Sequence, residues 1–195
     1  MLHTTFAKLH EAGACTERYP VLAKALGGIT KYGRNTPIPL ARILETNGLG
    51  DALWALQATT ENSARFSRLL ACDYAEHVLP NFEKVFPGDS RVRDCIAVAR
   101  RYALGQATIA ELRAAERAAK RAAERAAKRA TGSVAERVTA WAAAWAAKWA
   151  AESAAESATA WAAAWAAEWA AESAAERVTE NGWQQSRLLE MLEVE

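Results

Sequence analysis

Residues 140–159 and 160–179 are two copies of one 20-residue block, AWAAAWAAKWAAESAAESAT followed by AWAAAWAAEWAAESAAERVT, and this duplication constrains the fold more than any other feature. Alanine is the best helix former, and no Gly or Pro enforces a break inside the repeat, so the block reads as helix. Trp141, Trp145 and Trp149 recur every fourth residue, as do Trp161, Trp165 and Trp169. At ~100° per residue a spacing of four drifts only ~40° per step, so each triplet forms one stripe. The triplets are 20 residues apart, and that many steps leave a remainder of ~200°. On one straight helix the stripes would face nearly opposite ways. Two architectures follow: a turn near Glu156-Ser157-Ala158-Thr159 that makes an antiparallel hairpin with facing triplets, or a continuous helix about 70 Å long with two aromatic patches. The turn is the expected form, with Ser157 and Thr159 available as caps.

The segment before the repeat carries the octapeptide AERAAKRA twice, at 115–122 and 123–130. Glu116–Lys120 and Glu124–Lys128 stand i,i+4 in the favourable order, so this helix needs little tertiary support. Thr108 with Glu111, and Ser133 with Glu136, read as capping boxes, and Thr131-Gly132 as the stop between them. Earlier in the chain, residues 4–12 form a short helix ending near Gly13, and Thr16 caps a helix that runs to Leu26 and stops at Gly27-Gly28. Residues 29–35 are loop. Thr36-Pro37 starts a helix to about Glu45, which Asn47-Gly48 breaks. Gly50-Asp51 opens another, residues 61–86 form a long helix that Pro80 kinks or splits, and Arg91 to Leu104 form the next, closed by Gly105. Asn181-Gly182 stops the repeat, and Trp183 to Leu192 make a last amphipathic helix. The expected fold is all-α, with an N-terminal helical domain at 1–107 and an array of Ala-rich antiparallel helices at 108–195 that carries the Trp repeat and the last helix.

Hydrophobic residues make up 51% of the chain, but many are alanines that bury little area, so the core is thin and a homo-oligomer is the expected form. The net charge of +1 is unevenly spread: residues 111–137 hold eight Lys/Arg against four Glu, and 138–195 hold three against nine. Such halves could dock on each other. Nothing in the overall charge points to nucleic acid. Cys15, Cys72 and Cys95 are odd in number and far apart, which fits reduced thiols better than a disulfide framework or a metal site. The start lacks a signal-peptide pattern, and Lys148, Glu152, Glu156, Glu168 and Glu172 interrupt the Ala/Trp segment. A cytoplasmic protein without a membrane span is expected.

Catalytic chemistry finds no anchor. His3, His10 and His77 are the histidines; His3 and His10 could share a helix face, and Asp73 and His77 stand i,i+4, a spacing that suits an ordinary hydrogen bond more often than a metal. No phosphate loop, HExxH, EF-hand, GxSxG or GxGxxG pattern occurs, so neither an enzyme nor a cofactor is expected. The residues that point to binding are Trp141, Trp145, Trp149, Trp161, Trp165 and Trp169, with Arg117, Lys120, Arg121 and Arg125 on the preceding helix. Aromatic stripes at helical spacing are usually core. Alternatively indole faces line a groove that stacks on a nucleobase while the cations hold its phosphates, or Trp and Arg anchor a protein partner.

The stretch Arg68-Leu69-Leu70-Ala71-Cys72-Asp73-Tyr74-Ala75-Glu76, then Ser90-Arg91, Ala97 through Thr108, and Glu111-Leu112, resembles the Imm5-like family of immunity proteins of bacteria and phages. The resemblance covers roughly residues 36–115 plus the Ala-rich tail; Thr36-Pro37-Ile38 through Leu53-Trp54-Ala55-Leu56 looks like the extension of phage-type members. It implies an immunity or counter-defence protein that binds and neutralises a toxin or defence-system protein, without catalytic residues. It also implies that Arg68, Cys72, Arg91, Tyr102 and Gly105 are scaffold positions. Sequestration of a nucleotide-type signal and a purely structural oligomerisation module are the alternatives.

Overall fold

A computed structural model of the chain describes residues 1–129, 134–151, 163–164, 166–167 and 174–194. The described residues are overwhelmingly helical, with one two-stranded ribbon. The expected stop at Thr131-Gly132, the cap at Ser133 and the turn near residues 156–159 lie outside the described residues. Two compact units are present: Met1–Ser63 with Gln185–Glu195, and Ala64–Gln184.

In the first unit β1 (His3–Thr4) pairs antiparallel with β2 (Ile38–Pro39). Between them lie α1 (Phe6–Glu11), α2 (Tyr19–Ala25) and the single turn α3 (Ile29–Tyr32); α4 (Leu40–Asn47), α5 (Leu49–Ala55) and a 3-10 turn (Leu56–Ala58) follow. Thr5 caps α1 by accepting the Lys8 N–H at 3.1 Å. Phe6 is fully buried, with the rings of Tyr19 and Tyr32 edge-on to it at 5.6 and 6.0 Å.

Three expectations fail here, for local and for tertiary reasons. The α2 cap is Arg18 and not Thr16, because Pro20 in the first turn sets the start and the Arg18 guanidinium is tied to Asp51 at 3.0 Å. Residues 29–32 are a helical turn rather than loop, bounded by Gly28 and Gly33 at φ 96° and 101°. The Thr36-Pro37 start is displaced to Leu40, since Ile38 and Pro39 are spent in the ribbon and the Thr36 hydroxyl donates back to the Tyr32 carbonyl at 2.8 Å. Gly48 does break the chain as expected, at φ 87°.

The second unit holds α6 (Ala64–Val85), α7 (Arg91–Ala103), α8 (Ile109–Arg129), α9 (Val134–Ala151) and the last helix (Ala174–Val194) as far as Gln184. α6 continues through Pro80 as one helix, with Pro80 exposed. α9 packs against α6, α7 and α8. Ala140, Ala142, Ala143, Ala144, Ala146 and Ala147 are all buried, so burial covers more than half of the helix circumference, while Trp145 on the remaining arc is half-buried. Its small side chains let neighbouring axes approach to about 8 Å, the close end of helix packing. Cys72 and Cys95 are buried, and the Cys95 thiol donates to the Ala147 carbonyl at 3.4 Å. Burial pushes both thiols up to about 12. Arg68, also buried, donates to the Ala150 carbonyl at 3.3 Å and lies 5.1 Å over the Tyr102 ring.

The last helix runs unbroken through Asn181-Gly182, against expectation. Gly182 is not among the glycines with positive φ. Its neighbours Glu180, Trp183 and Gln184 are engaged with α6 and with Ala164, and those contacts outweigh the turn preference of Asn-Gly.

Candidate functional site

The capping box that opens α8 forms as its sequence requires. The Thr108 N–H donates to Glu111 Oε2 at 2.7 Å, and the Glu111 N–H donates to Thr108 Oγ1 at 3.2 Å. From that fixed start, Leu112, Ala119, Ala122, Ala123 and Ala126 fall on one face and are buried. The opposite face therefore carries Arg113, Arg117, Lys120, Arg121, Arg125 and Lys128, all exposed, with Glu124 among them. At 1.5 Å per residue this cationic face is about 22 Å long. Arg125 is partly engaged: its Nη1 lies 3.4 Å from Asp89 Oδ2, and its guanidinium sits 5.4 Å over the Phe86 ring. Asp89 also accepts from Arg91, whose hydrogen bonds hold the Asp89 carboxyl below the usual range against the effect of burial. Among the described residues no carboxylate lies within ion-pair distance of Arg113, Arg117, Lys120, Arg121 or Lys128. The expected Glu116–Lys120 and Glu124–Lys128 pairs are thus spaced as predicted but do not close.

Of the six repeat tryptophans, Trp145 has a described side chain; those of Trp141, Trp149, Trp161, Trp165 and Trp169 lie outside the described residues. Trp145 is half-buried on α9, and the buried Lys148 places its ammonium 5.2 Å from the ring centroid. A cation of this chain thus already stacks on that indole.

The histidines are placed by partners remote in sequence. His3 lies on β1, not on a helix shared with His10; its backbone N–H and ring Nδ1 both meet Glu61, at 2.9 and 3.1 Å. Burial works to raise the Glu61 carboxyl, but hydrogen bonds from His3 and Thr60 bring it down to about 2. Asp73 does not serve His77: it accepts from Arg100 at 2.8 Å. His77 instead stacks on the Trp183 indole, centroids 3.7 Å apart and planes at 9°, with its Nε2 3.1 Å from Glu180 Oε2. Glu180 is buried and also accepts from Gln184 at 2.9 Å, while the buried Tyr74 hydroxyl donates to the Gln184 carbonyl at 3.0 Å. This polar cluster binds the last helix to α6. Among the described residues no group of three His, Cys, Asp or Glu could hold a metal.

A groove of about 410 Å³ runs between α6 and α7. Leu79, Ile96 and Leu104 form its apolar part, and Arg93, Arg100 and Arg101 line it beside Glu76. Its residues come from two separate helices, with Leu79 and Arg93, the nearest pair in sequence across it, 14 positions apart, so no local pattern announces it.

No described helix is long and apolar enough to cross a membrane. In comparison with known proteins, residues 57–190 match the family described as Imm-5 like putative immunity protein. No curated protein and no solved structure matches the chain.

Proposed function

Matched across residues 57–190 of 195, the chain belongs to the Imm5-like immunity-protein family, and on that premise we propose that it binds and neutralises a toxin-like protein, without catalysis, through the cationic face of α8. The observation that carries this reading is the run Arg113, Arg117, Lys120 and Arg121: exposed, about 12 Å long, and lacking carboxylate partners among the described residues. An acidic partner surface supplies the missing counter-charge. Such complementarity speeds encounter and selects the partner, and arginine is a frequent anchor at protein interfaces. Lys148 occupies one face of Trp145, which favours a protein partner on α8 over a nucleobase on this indole.

Native mass spectrometry of the protein isolated gently from its cells tests the proposal. The expected result is a stoichiometric protein partner, lost when Arg113, Arg117, Lys120 and Arg121 are all changed to Glu in a variant whose helical circular dichroism is intact. A small adduct released on denaturation would replace this reading with sequestration of a nucleotide-type signal. A bare homo-oligomer would favour the structural one.

A further inference from the structure

The groove between α6 and α7 combines two features that no single simple ligand type satisfies. Its apolar part includes Leu104, which caps the end of α7 and stays 43% exposed. Its lining holds three guanidinium groups and the carboxylate of Glu76, and each guanidinium is paired with at least one carboxylate. These arginines differ in commitment. Arg100 is fixed by a fork to Asp73 at 2.8 Å and Glu76 at 2.6 Å. Arg101 has its carboxylate, Glu111, only at 3.8 Å, and Arg93 pairs with Glu83 at 2.5 Å while 63% exposed. Exposed pairs of this kind are weak and exchange readily for a better-placed acid. A purely apolar ligand would strip water from the guanidinium groups and return nothing. An apolar side chain flanked by carboxylates satisfies both halves. The volume of about 410 Å³ falls within the range of ligand-holding clefts.

We infer that this groove seats an apolar side chain carried on an acidic segment of the toxin-like partner, an inference that rests on the immunity reading above. Continuity supports a protein occupant over a free metabolite. Arg101 reaches Glu111 in the first turn of α8, so the end of the groove adjoins the start of the cationic face. A partner lying along α8 therefore extends onto the groove, where one anchor residue would add shape-dependent specificity to a charge-driven encounter.

The test uses the full chain, labelled with ¹⁵N, and an acetylated hexapeptide Asp-Glu-Leu-Phe-Glu-Asp as probe. The expected result is saturable shifts at residues 76–79 and 93–106, weakened about tenfold or more by Leu104→Ser and by Arg101→Gln. A control in which lysine replaces every acid should leave the spectrum unchanged. Equal binding of that control, shifts confined to other residues, or indifference to both substitutions would overturn the inference. The four-site α8 variant separates the two proposals. If the acidic peptide fails while partner capture persists, the groove falls and the α8 reading stands. If the α8 variant still captures the partner and binds the peptide, the groove stands and the α8 reading falls.

Discussion

At the scale of single residues, arginine has three distinct uses in this chain. Arg68 is buried and satisfied by the Ala150 carbonyl and the Tyr102 ring. Arg91 and Arg125 hold the carboxylate of Asp89. Arg113, Arg117 and Arg121 face solvent. The second use has a pH signature. The Asp89 carboxyl lies below its ordinary 3.8 because Arg91 hydrogen-bonds the charged form. A depressed folded-state pKa contributes stability that is present above the unfolded value and lost as pH falls through the folded one. Thermal melts from about pH 5 down to about pH 2 should show a falling acid limb, shallower in Asp89→Asn, which is also less stable at neutral pH. Glu61, held at about 2 chiefly by His3, contributes to the same limb by the same sign. The thiols give a second check. Cys15 is exposed, whereas burial pushes Cys72 and Cys95 up to about 12, leaving almost no thiolate near neutral pH. Labelling of the native protein with a thiol reagent should therefore modify one cysteine quickly, and all three only in denaturant.

Elements differ in what holds them. α8 is a helix by local rules: its capping box is closed and its alanines need little help. α9 is a helix whose place is set by packing, its alanine face buried among α6, α7 and α8. Ala143→Leu inserts volume where Ala143 has no exposed surface and should cost about 1–3 kcal/mol, read as a lower urea midpoint at unchanged slope. The last helix offers the opposite substitution. Gly182 is exposed, sits in mid-helix without positive φ, and a Cβ there would meet nothing within 4 Å. Gly182→Ala should raise stability by up to about 1 kcal/mol. A loss instead would mean that Asn181-Gly182 forms a turn in solution.

For the molecule as a whole, charge separates folding from binding. Arg113, Arg117, Lys120 and Arg121 make no ion pair among the described residues, so reversing these four should move the melting temperature little while abolishing capture of an acidic partner. Raising salt should weaken the wild-type complex and leave the fold unaffected, because screening acts on exposed charges at separations of about 10 Å. A complex insensitive to salt would count against the α8 interface.

The sequence by itself determined the helical class, the family, the capping box at Thr108, the stops at Gly48 and Gly105, and the cationic face of α8. All of these rest on interactions within about one helical turn, or on a pattern with a fixed helical period. Only the tertiary structure decided that Ile38 and Pro39 form a ribbon with His3 and Thr4, that the last helix passes through Gly182, and that Arg100 meets Asp73 and Glu76 beside the groove. It also decided that His77 turns from Asp73, four residues away, to Glu180 on the last helix. Those partners are 24 or more residues apart, and nothing in a local pattern distinguishes the carboxylate an arginine or histidine will meet from any other. That choice is made when helices pack and desolvation penalises every buried or half-buried charge left without its opposite.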